Sequence, residues 1–153
     1  MDTSSLESLP LEILVVESNP AEARLIAEAF RDAGLLNKIQ RVHDGEQAMA
    51  LLRKEVPFRD AKEPDLILLD LNLPGKNGLE ILEEIRASAT FDCIPVIILS
   101  GSANPTDIQK AYRLRANCYI RKPSSLDEFL SLIQNCYQFW GKSVCLPPKS
   151  DGA

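Results

Sequence analysis

Short, wholly apolar runs alternate with helix-like segments along this chain, and this alternation is what most limits how it can fold. Runs at residues 13–16, 66–69 and 95–99 carry apolar side chains throughout and are too short for helices. Such runs are typical of strands buried on both faces of a parallel sheet. Weaker strand patterns at residues 38–42 and 118–120 bring the predicted number of strands to five.

A helical pattern follows each predicted strand. Asn19 and Pro20 are typical of a helix start, and Gly34 is typical of a helix end. Further helical segments lie at residues 48–53, 79–85, 106–115 and 126–140. Strict alternation of strands and helices predicts an α/β fold: a doubly wound, five-stranded parallel sheet with helices on both faces.

The chain has 153 residues, which is enough for one domain with a packed core. We predict that the domain covers residues 11–140, between an N-terminal tail (1–10) and a C-terminal tail (141–153). A net charge of -5 offers no electrostatic footprint for nucleic acid or an anionic membrane. No apolar run approaches the roughly 20 residues that span a bilayer. The four cysteines form no CxxC pair, so we expect reduced thiols in a cytoplasmic protein.

Polar side chains follow four of the five predicted strands. Glu17 and Ser18 come after the first strand, Asp70 ends the third, Ser100 follows the fourth, and Lys122 follows the fifth. In doubly wound sheets the functional site lies at the carboxyl ends of the strands. The sequence therefore predicts that these side chains meet at one edge of the sheet.

Three motifs at these strand ends carry a resemblance to a known family: LLDLNLPGKNG (68–78), Ser100-Gly101 and Arg121-Lys122-Pro123. In this order they resemble the receiver domains of bacterial two-component systems, over about residues 11–140. The resemblance implies the flavodoxin-like (βα)5 fold. Residues 117–120 and 139–140 also resemble the small response regulators that serve bacterial-type phytochrome kinases.

The resemblance implies a phosphoryl-transfer site. Asp70 would be the phosphoacceptor, Lys122 a fixed positive charge, and Ser100 a hydroxyl that turns toward the new phosphoryl group. Tyr119 would be the aromatic switch that turns inward when the hydroxyl moves. This chemistry is sound for these residue types, because a carboxylate that attacks a phosphoryl donor needs cations to neutralise the incoming oxygens.

Magnesium is the implied second cation. The resemblance gives its ligands as Asp70, the backbone carbonyl of Asn72, and an acidic pair after the first strand, of which only Glu17 is present. The second position is Ser18, which is neutral. Since ligand charge helps set cation affinity, we expect weak magnesium binding that Ser18→Asp would tighten.

Each candidate residue also has a simpler interpretation. Asp70 could cap a helix or turn, Lys122 could be a solvated surface lysine, and Ser100 could cap the next helix. Tyr119 could be a packing residue, and Glu17 could be a surface acid in a turn.

The last helix carries more apolar residues than one buried face needs. The stripe that we expect to cover the sheet comprises Leu126, Leu130, Ile133, Tyr137 and Trp140. The stripe that we expect to be exposed comprises Phe129, Leu132, Cys136 and Phe139. An exposed stripe favours a protein partner, so we expect a homodimer, through the face of the fourth helix, fifth strand and fifth helix, or docking to a kinase. Alternatively, residues 144–148 fold back over it.

These features predict a single-domain response regulator rather than an enzyme. It would accept a phosphoryl group on Asp70 from a sensor histidine kinase and signal through protein contacts. The resemblance of residues 117–120 and 139–140 implies that this kinase is a bacterial-type phytochrome. The main alternative is a degenerate receiver that acts as a scaffold, because Ser18 replaces a metal-binding acid. A flavin- or nucleotide-binding enzyme on the same fold is disfavoured, because the chain has no GxGxxG and no GxxxxGK[ST] motif.

Overall fold

The computed structural model describes residues 11–34 and 39–149. The predicted N-terminal tail, residues 150–153 and the predicted strand start at Lys38 lie outside this part. The strands are β1 (Ile13–Val16), β2 (Ile39–Val42), β3 (Leu66–Asp70), β4 (Val96–Ser100) and β5 (Cys118–Arg121). The helices are α1 (Pro20–Asp32), α2 (Gly45–Leu52), α3 (Gly78–Ala87), α4 (Pro105–Arg113) and α5 (Leu126–Cys136), followed by a π-helical segment, Tyr137–Ser143.

All five strands pair in parallel, in the order β2-β1-β3-β4-β5. This order confirms the predicted doubly wound sheet. Strand order reverses between β1 and β3, which is where such folds place their functional site. Val16 lies opposite Leu69 in the register, so the next residues, Glu17 and Asp70, emerge side by side at the carboxyl edge.

The core has two halves, one on each face of the sheet. Because successive strand residues point to opposite faces, Leu14, Ile67 and Ile98 pack with α2 and α3 on one side. Their neighbours Val15 and Leu68 pack with α1 and α5 on the other side. The central strands β1, β3 and β4 are buried along their whole length, which explains why they are apolar up to Asp70 and Ser100, the last residues of β3 and β4.

Polar residues fix where the helices begin. The side chains that accept a hydrogen bond from the first turn of α1 to α5 are Asn19, Asp44, Asn77, Asn104 and Ser125, in that order. The cap of α4 is therefore not Ser100, and the simpler interpretation of that hydroxyl as a helix cap is wrong. None of the helices within residues 11–34 and 39–149 is long and apolar enough to cross a bilayer.

The predicted ending of the last helix is wrong. The α-helix stops at Cys136, and the chain continues to Ser143 in wider π turns, with Val144 N–H donating to the Phe139 carbonyl at 2.9 Å. A π turn holds more residues than an α turn, so it changes the direction of every later side chain. Gly141 suits this path, because a Cβ there would lie only 2.8 Å from the Tyr137 ring.

The predicted division of this helix into stripes is also wrong. Phe129 and Cys136 are buried rather than exposed, while Leu126 is exposed rather than buried. The reason is the rotation of α5 about its own axis as it packs beside α1. This rotation turns Phe129 and Ile133 toward the core, whereas Leu126 is the first residue of the helix and stays exposed. Phe139 remains 56% exposed, so it keeps its predicted place at the surface.

The C-terminal segment returns to the body of the domain. Leu146 packs against the α1–α5 half of the core, and Lys149 pairs with Asp65 across 3.6 Å, at the amino end of β3. The segment therefore crosses the edge opposite the strand carboxyl ends and leaves Phe139 exposed. The domain boundaries themselves stay a prediction.

Candidate functional site

The carboxyl edge of the sheet gathers the residues that the sequence predicted to meet. Glu17 and Asp70 leave adjacent strands, and Lys122 follows β5 with its N–H donating to the Ser100 carbonyl at 2.7 Å. Arg41 on β2 holds the Glu17 carbonyl through two guanidinium contacts, at 2.9 and 3.2 Å. Hydrogen bonds thus hold the backbone of Glu17 to β2 and the backbone of Lys122 to β4.

Lys122 lies in the middle of a group of carboxylates. Its Nζ is 3.0 Å from Glu17 Oε2 and 3.3 Å from Asp70 Oδ2, and it also donates to Glu22 Oε2. The Lys122 side chain is only 8% exposed and Glu17 only 1% exposed. The simpler interpretations of Lys122 and Glu17 as surface residues are therefore wrong.

Glu22 is the acid that sequence reasoning missed. It lies in the first turn of α1, and its carboxylate joins those of Glu17 and Asp70, with one oxygen from each within 4.8 Å of the others. The sequence predicted one carboxylate after β1, Glu17, whereas the structure brings two to the site, Glu17 and Glu22. The available signal was the Asn19-Pro20 helix start, which places Glu22 at the third helical position, one turn above the sheet edge.

Ser18 and Asn72 form the outer side of the site. The Ser18 hydroxyl donates to the Asn72 carbonyl at 3.3 Å, so it contacts the carbonyl that was predicted as a metal ligand. The Asn72 N–H in turn donates to Asp70 Oδ1 at 3.1 Å. Asp70 therefore does stabilise the turn after β3 while its other oxygen faces Lys122.

Burial and crowding shift the proton equilibria of this cluster. Burial raises the pKa of Glu17 to about 7, opposed by the Lys122 charge and reinforced by Asp70. Burial alone would lower the pKa of Lys122, but its hydrogen bond to Glu22 and the charges of Glu17 and Asp70 outweigh burial and raise it. Lys122 therefore stays protonated, and the carboxylates repel one another across a small volume.

A chain of hydrogen bonds leads from the site toward β5. Ser100 Oγ accepts from the Ser102 N–H at 3.1 Å, and the Ser102 carbonyl accepts from the Tyr119 hydroxyl at 2.9 Å. The Tyr119 N–H then donates to the Tyr112 hydroxyl on α4 at 3.1 Å. Tyr119 is half-buried and also packs against the core, so the packing role and the predicted switch position coexist.

The donor set fits a divalent cation. Glu17, Glu22 and Asp70 each offer a carboxylate oxygen, and hard cations such as magnesium prefer oxygen ligands. With all three ionised, Lys122 leaves two negative charges uncompensated. These residues can therefore bind a metal, and whether magnesium binding is weak stays a prediction.

Comparison with known proteins identifies the class. The family model described as response regulator receiver domain matches residues 13–134. The chain therefore belongs to the response regulator receiver family, whose members are signalling proteins that work with histidine kinases.

Particular relatives are small regulators of similar length. The chain is 37% identical over 138 residues to response regulator Rcp1 of Synechocystis sp., an alignment that covers 90% of this chain and 94% of the relative. The crystal structure of the phosphorylated cyanobacterial phytochrome response regulator RcpA superposes with a TM-score of 0.87 at 42% identity, covering 92% of this chain and all of the other. The Mn(2+)-bound form of Rcp1 superposes with a TM-score of 0.81 at 36% identity, covering 91% of this chain and all of the other.

Proposed function

We propose that this receiver accepts a phosphoryl group on Asp70 from a sensor histidine kinase and signals by changing its protein contacts. The observation that carries the proposal is the position of the Asp70 carboxylate. It lies at the carboxyl end of a central strand, 3.3 Å from the Lys122 ammonium and beside two further carboxylates. The solved structure of phosphorylated RcpA supports this reading, because that relative is a phosphoprotein of the same fold.

The transfer step assigned to Asp70 is a nucleophilic displacement. An Asp70 carboxylate oxygen attacks phosphorus, and the P–N bond to the kinase phosphohistidine breaks with its electron pair going to the ring nitrogen. The imidazole takes up a proton from solvent and leaves as a neutral ring. Lys122 neutralises charge on the transferred oxygens, since its ammonium already lies against the nucleophile. A divalent cation held by Glu17, Glu22 and Asp70 would supply further neutralisation of the phosphoryl oxygens.

The signal would leave through Ser100 and Tyr119. The Ser100 hydroxyl now accepts from Ser102 N–H, and turning it to donate to a phosphoryl oxygen would break that bond. The Ser102 carbonyl holds the Tyr119 hydroxyl, so a shift of this loop would free Tyr119 to move. Movement of Tyr119 would alter the face formed by α4, β5 and α5.

We further propose a bacterial-type phytochrome kinase as the partner, because RcpA, to which this chain is similar, is a cyanobacterial phytochrome response regulator. The α4–β5–α5 face is proposed as the surface of a homodimer. It carries exposed Tyr112 and Leu126, with Phe139 just beyond the end of α5.

The proposed compartment is the cytoplasm, where the four free cysteines would stay reduced.

Mass spectrometry after incubation with an acyl phosphate and magnesium tests the phosphoacceptor. We expect a species heavier by about 80 Da, which is one phosphoryl group, and we expect Asp70→Asn to abolish it. Asp60→Asn is the matched control, because Asp60 is an exposed acid outside the site.

Two results would contradict the proposal. If saturating donor and magnesium leave the wild-type mass unchanged, the scaffold alternative is favoured. If Asp70→Asn is modified as readily as the wild-type chain, the acceptor is another residue.

A further inference from the structure

We propose that Glu22 replaces the acid missing at position 18 and acts as the third carboxylate toward the divalent cation. This inference rests on the proposed function, since it assigns a ligand in the same site. It concerns this chain in particular, because the residue that follows Glu17 is Ser18.

The position of Glu22 in its helix explains why its carboxylate is directed toward the site. Asn19 caps α1, and an acid three residues after a cap commonly turns back to accept from the cap N–H. Here the Asn19 N–H donates instead to Glu17 Oε1 at 3.1 Å. Glu17 therefore takes the role that Glu22 would otherwise have, and the Glu22 side chain extends over the sheet edge to Lys122.

Ser18 cannot provide this charge, and its hydroxyl is already engaged. It donates to the Asn72 carbonyl at 3.3 Å, which ties the loop after β1 to the loop after β3. In this arrangement the Asn72 carbonyl lies beside Ser18. The third negative charge of the cation site comes from Glu22 on α1. The extra methylene of glutamate over aspartate lets the carboxylate reach across from the helix.

The contacts of Lys122 show that the three carboxylates converge on one point, where a single positive charge reaches an oxygen of each. The ammonium lies within ion-pair distance of Glu17, Glu22 and Asp70 at once. Glu22 is the most exposed of the three, with its side chain 34% exposed, so it is the one that solvent and an entering ion meet first. The amino end of α1 favours the ionised form of an acid in its first turn.

Calorimetric titration of the full chain with magnesium, repeated with manganese, tests the inference. We expect Glu22→Gln to weaken binding by at least about tenfold, because it removes a charge while keeping the side-chain shape. Glu28→Gln is the matched control: Glu28 lies on the same helix, pairs with Arg24 outside the site, and its loss should leave affinity unchanged.

A second variant separates charge replacement from general disturbance of the site. Ser18→Asp in the Glu22→Gln background should restore most of the lost affinity. In the wild-type background Ser18→Asp should have a smaller effect, because Glu22 already supplies the charge. Such non-additivity is the signature of two residues that serve one function. Far-ultraviolet circular dichroism of each variant confirms that it is folded.

The outcomes separate this inference from the proposed function. If Asp70→Asn weakens cation binding and abolishes phosphorylation, but Glu22→Gln binds like the wild-type chain, the proposed function stands and the role of Glu22 is refuted. Equal effects of Ser18→Asp in both backgrounds also refute it. If the wild-type chain binds neither magnesium nor manganese and is not phosphorylated, both proposals fail.

Discussion

Lys122 and a divalent cation compete, at the scale of single residues, for the same carboxylate oxygens. The Lys122 ammonium is 3.0 Å from Glu17 and 3.3 Å from Asp70, and it also pairs with Glu22. A charge at such distances interacts by roughly 4 kcal/mol at a protein surface, so its effect on a second cation is large. Magnesium affinity and phosphoryl transfer should therefore respond to Lys122 in opposite directions.

We predict that Lys122→Met tightens magnesium binding by at least about tenfold while it abolishes phosphorylation of Asp70. Titration at about pH 8 measures the first effect, and the mass shift with an acyl phosphate measures the second. Lys110→Met, which removes an exposed charge on α4, should change neither. Weaker magnesium binding in Lys122→Met would show that the ammonium organises the carboxylates rather than competing for them.

Glu17 gives the site a pH dependence. Burial raises its pKa to about 7, and a carboxylate must lose its proton before it binds a metal. Above that pH no proton has to leave Glu17, whereas below it each bound cation displaces one. Magnesium affinity should therefore be nearly constant above about pH 8 and should fall, by up to about tenfold per pH unit, below about pH 7.

Titrations at several pH values check this dependence. Glu17→Gln should bind more weakly and lose the dependence near pH 7, because the titrating carboxyl is gone. Equal affinity of the wild-type chain at about pH 6 and pH 8 would show that Glu17 is not protonated in the free protein.

At the scale of elements, the start of α3 sets the backbone of the phosphoacceptor. Gly78 is buried against β3, and a Cβ there would lie 2.4 Å from the Asp70 carbonyl oxygen and 2.7 Å from the Leu71 Cα. Those are backbone atoms that cannot move without shifting Asp70. The Gly78 N–H also donates to the Leu71 carbonyl at 2.9 Å, which holds the helix to the loop.

Gly78→Ala should lower the free energy of unfolding by about 1–3 kcal/mol and slow phosphorylation of Asp70. Urea denaturation and the rate of the mass shift measure the two effects. Gly101→Ala is the control, because a Cβ at Gly101 meets nothing within 4 Å. A Gly78→Ala chain as stable and as reactive as Gly101→Ala would mean that the close approach to Asp70 is easily relaxed.

The two phenylalanines of the C-terminal helical region should differ sharply in their contribution to stability. Phe129 is buried in the α1–α5 half of the core, so Phe129→Ala should lower the free energy of unfolding by about 3–5 kcal/mol. Phe139 is 56% exposed and its ring meets Trp140 edge-on, so Phe139→Ala should lower the free energy of unfolding by less than about 1 kcal/mol. Urea denaturation measures both losses. A larger loss for Phe139→Ala than for Phe129→Ala would mean that Phe139 is the residue packed in the core.

Helix phase explains why sequence reasoning placed these two residues on one exposed stripe. The periodicity of apolar residues predicts that a helix is amphipathic, but with two adjacent stripes it does not say which one faces the sheet. That depends on how α5 packs beside α1 and on the π turns after Cys136, which redirect Phe139 and Trp140. Both are properties of the packed chain.

At the scale of the whole molecule, the proposed homodimer depends on exposed apolar side chains along one face. Leu126 at the start of α5 is 47% exposed, and Tyr112 on α4 is 49% exposed. Light scattering over a concentration series should show a mass that rises toward twice that of one chain. Leu126→Ser should hold the mass at that of a monomer.

Val56→Ser is the matched control for dimerisation. Val56 is also exposed and apolar, but it lies in the loop after α2, away from the α4–β5–α5 face. Its loss should leave the mass series unchanged. A wild-type chain that stays monomeric at the highest concentration would refute the homodimer.

The sequence by itself determined the sheet and the principal members of the site. Fully apolar runs of four or five residues have few alternatives to buried parallel strands, and parallel strands bring their carboxyl ends to one edge whatever the details of packing. Glu17, Asp70, Ser100 and Lys122 could therefore be predicted to meet there, because each directly follows or ends a strand.

Only the tertiary structure decided how the carboxylates share the site. Glu22 lies on a helix rather than at a strand end, so its reach to Lys122 depends on how α1 leaves the sheet and on which acid accepts from the Asn19 N–H. The contact of Ser18 with the Asn72 carbonyl is likewise visible only in the folded chain. From the sequence, the neutral Ser18 side chain indicated that the site lacks one carboxylate. The net charge of a binding site depends on all the charged groups near it in the folded chain, and some of those groups come from residues that are not adjacent in the sequence.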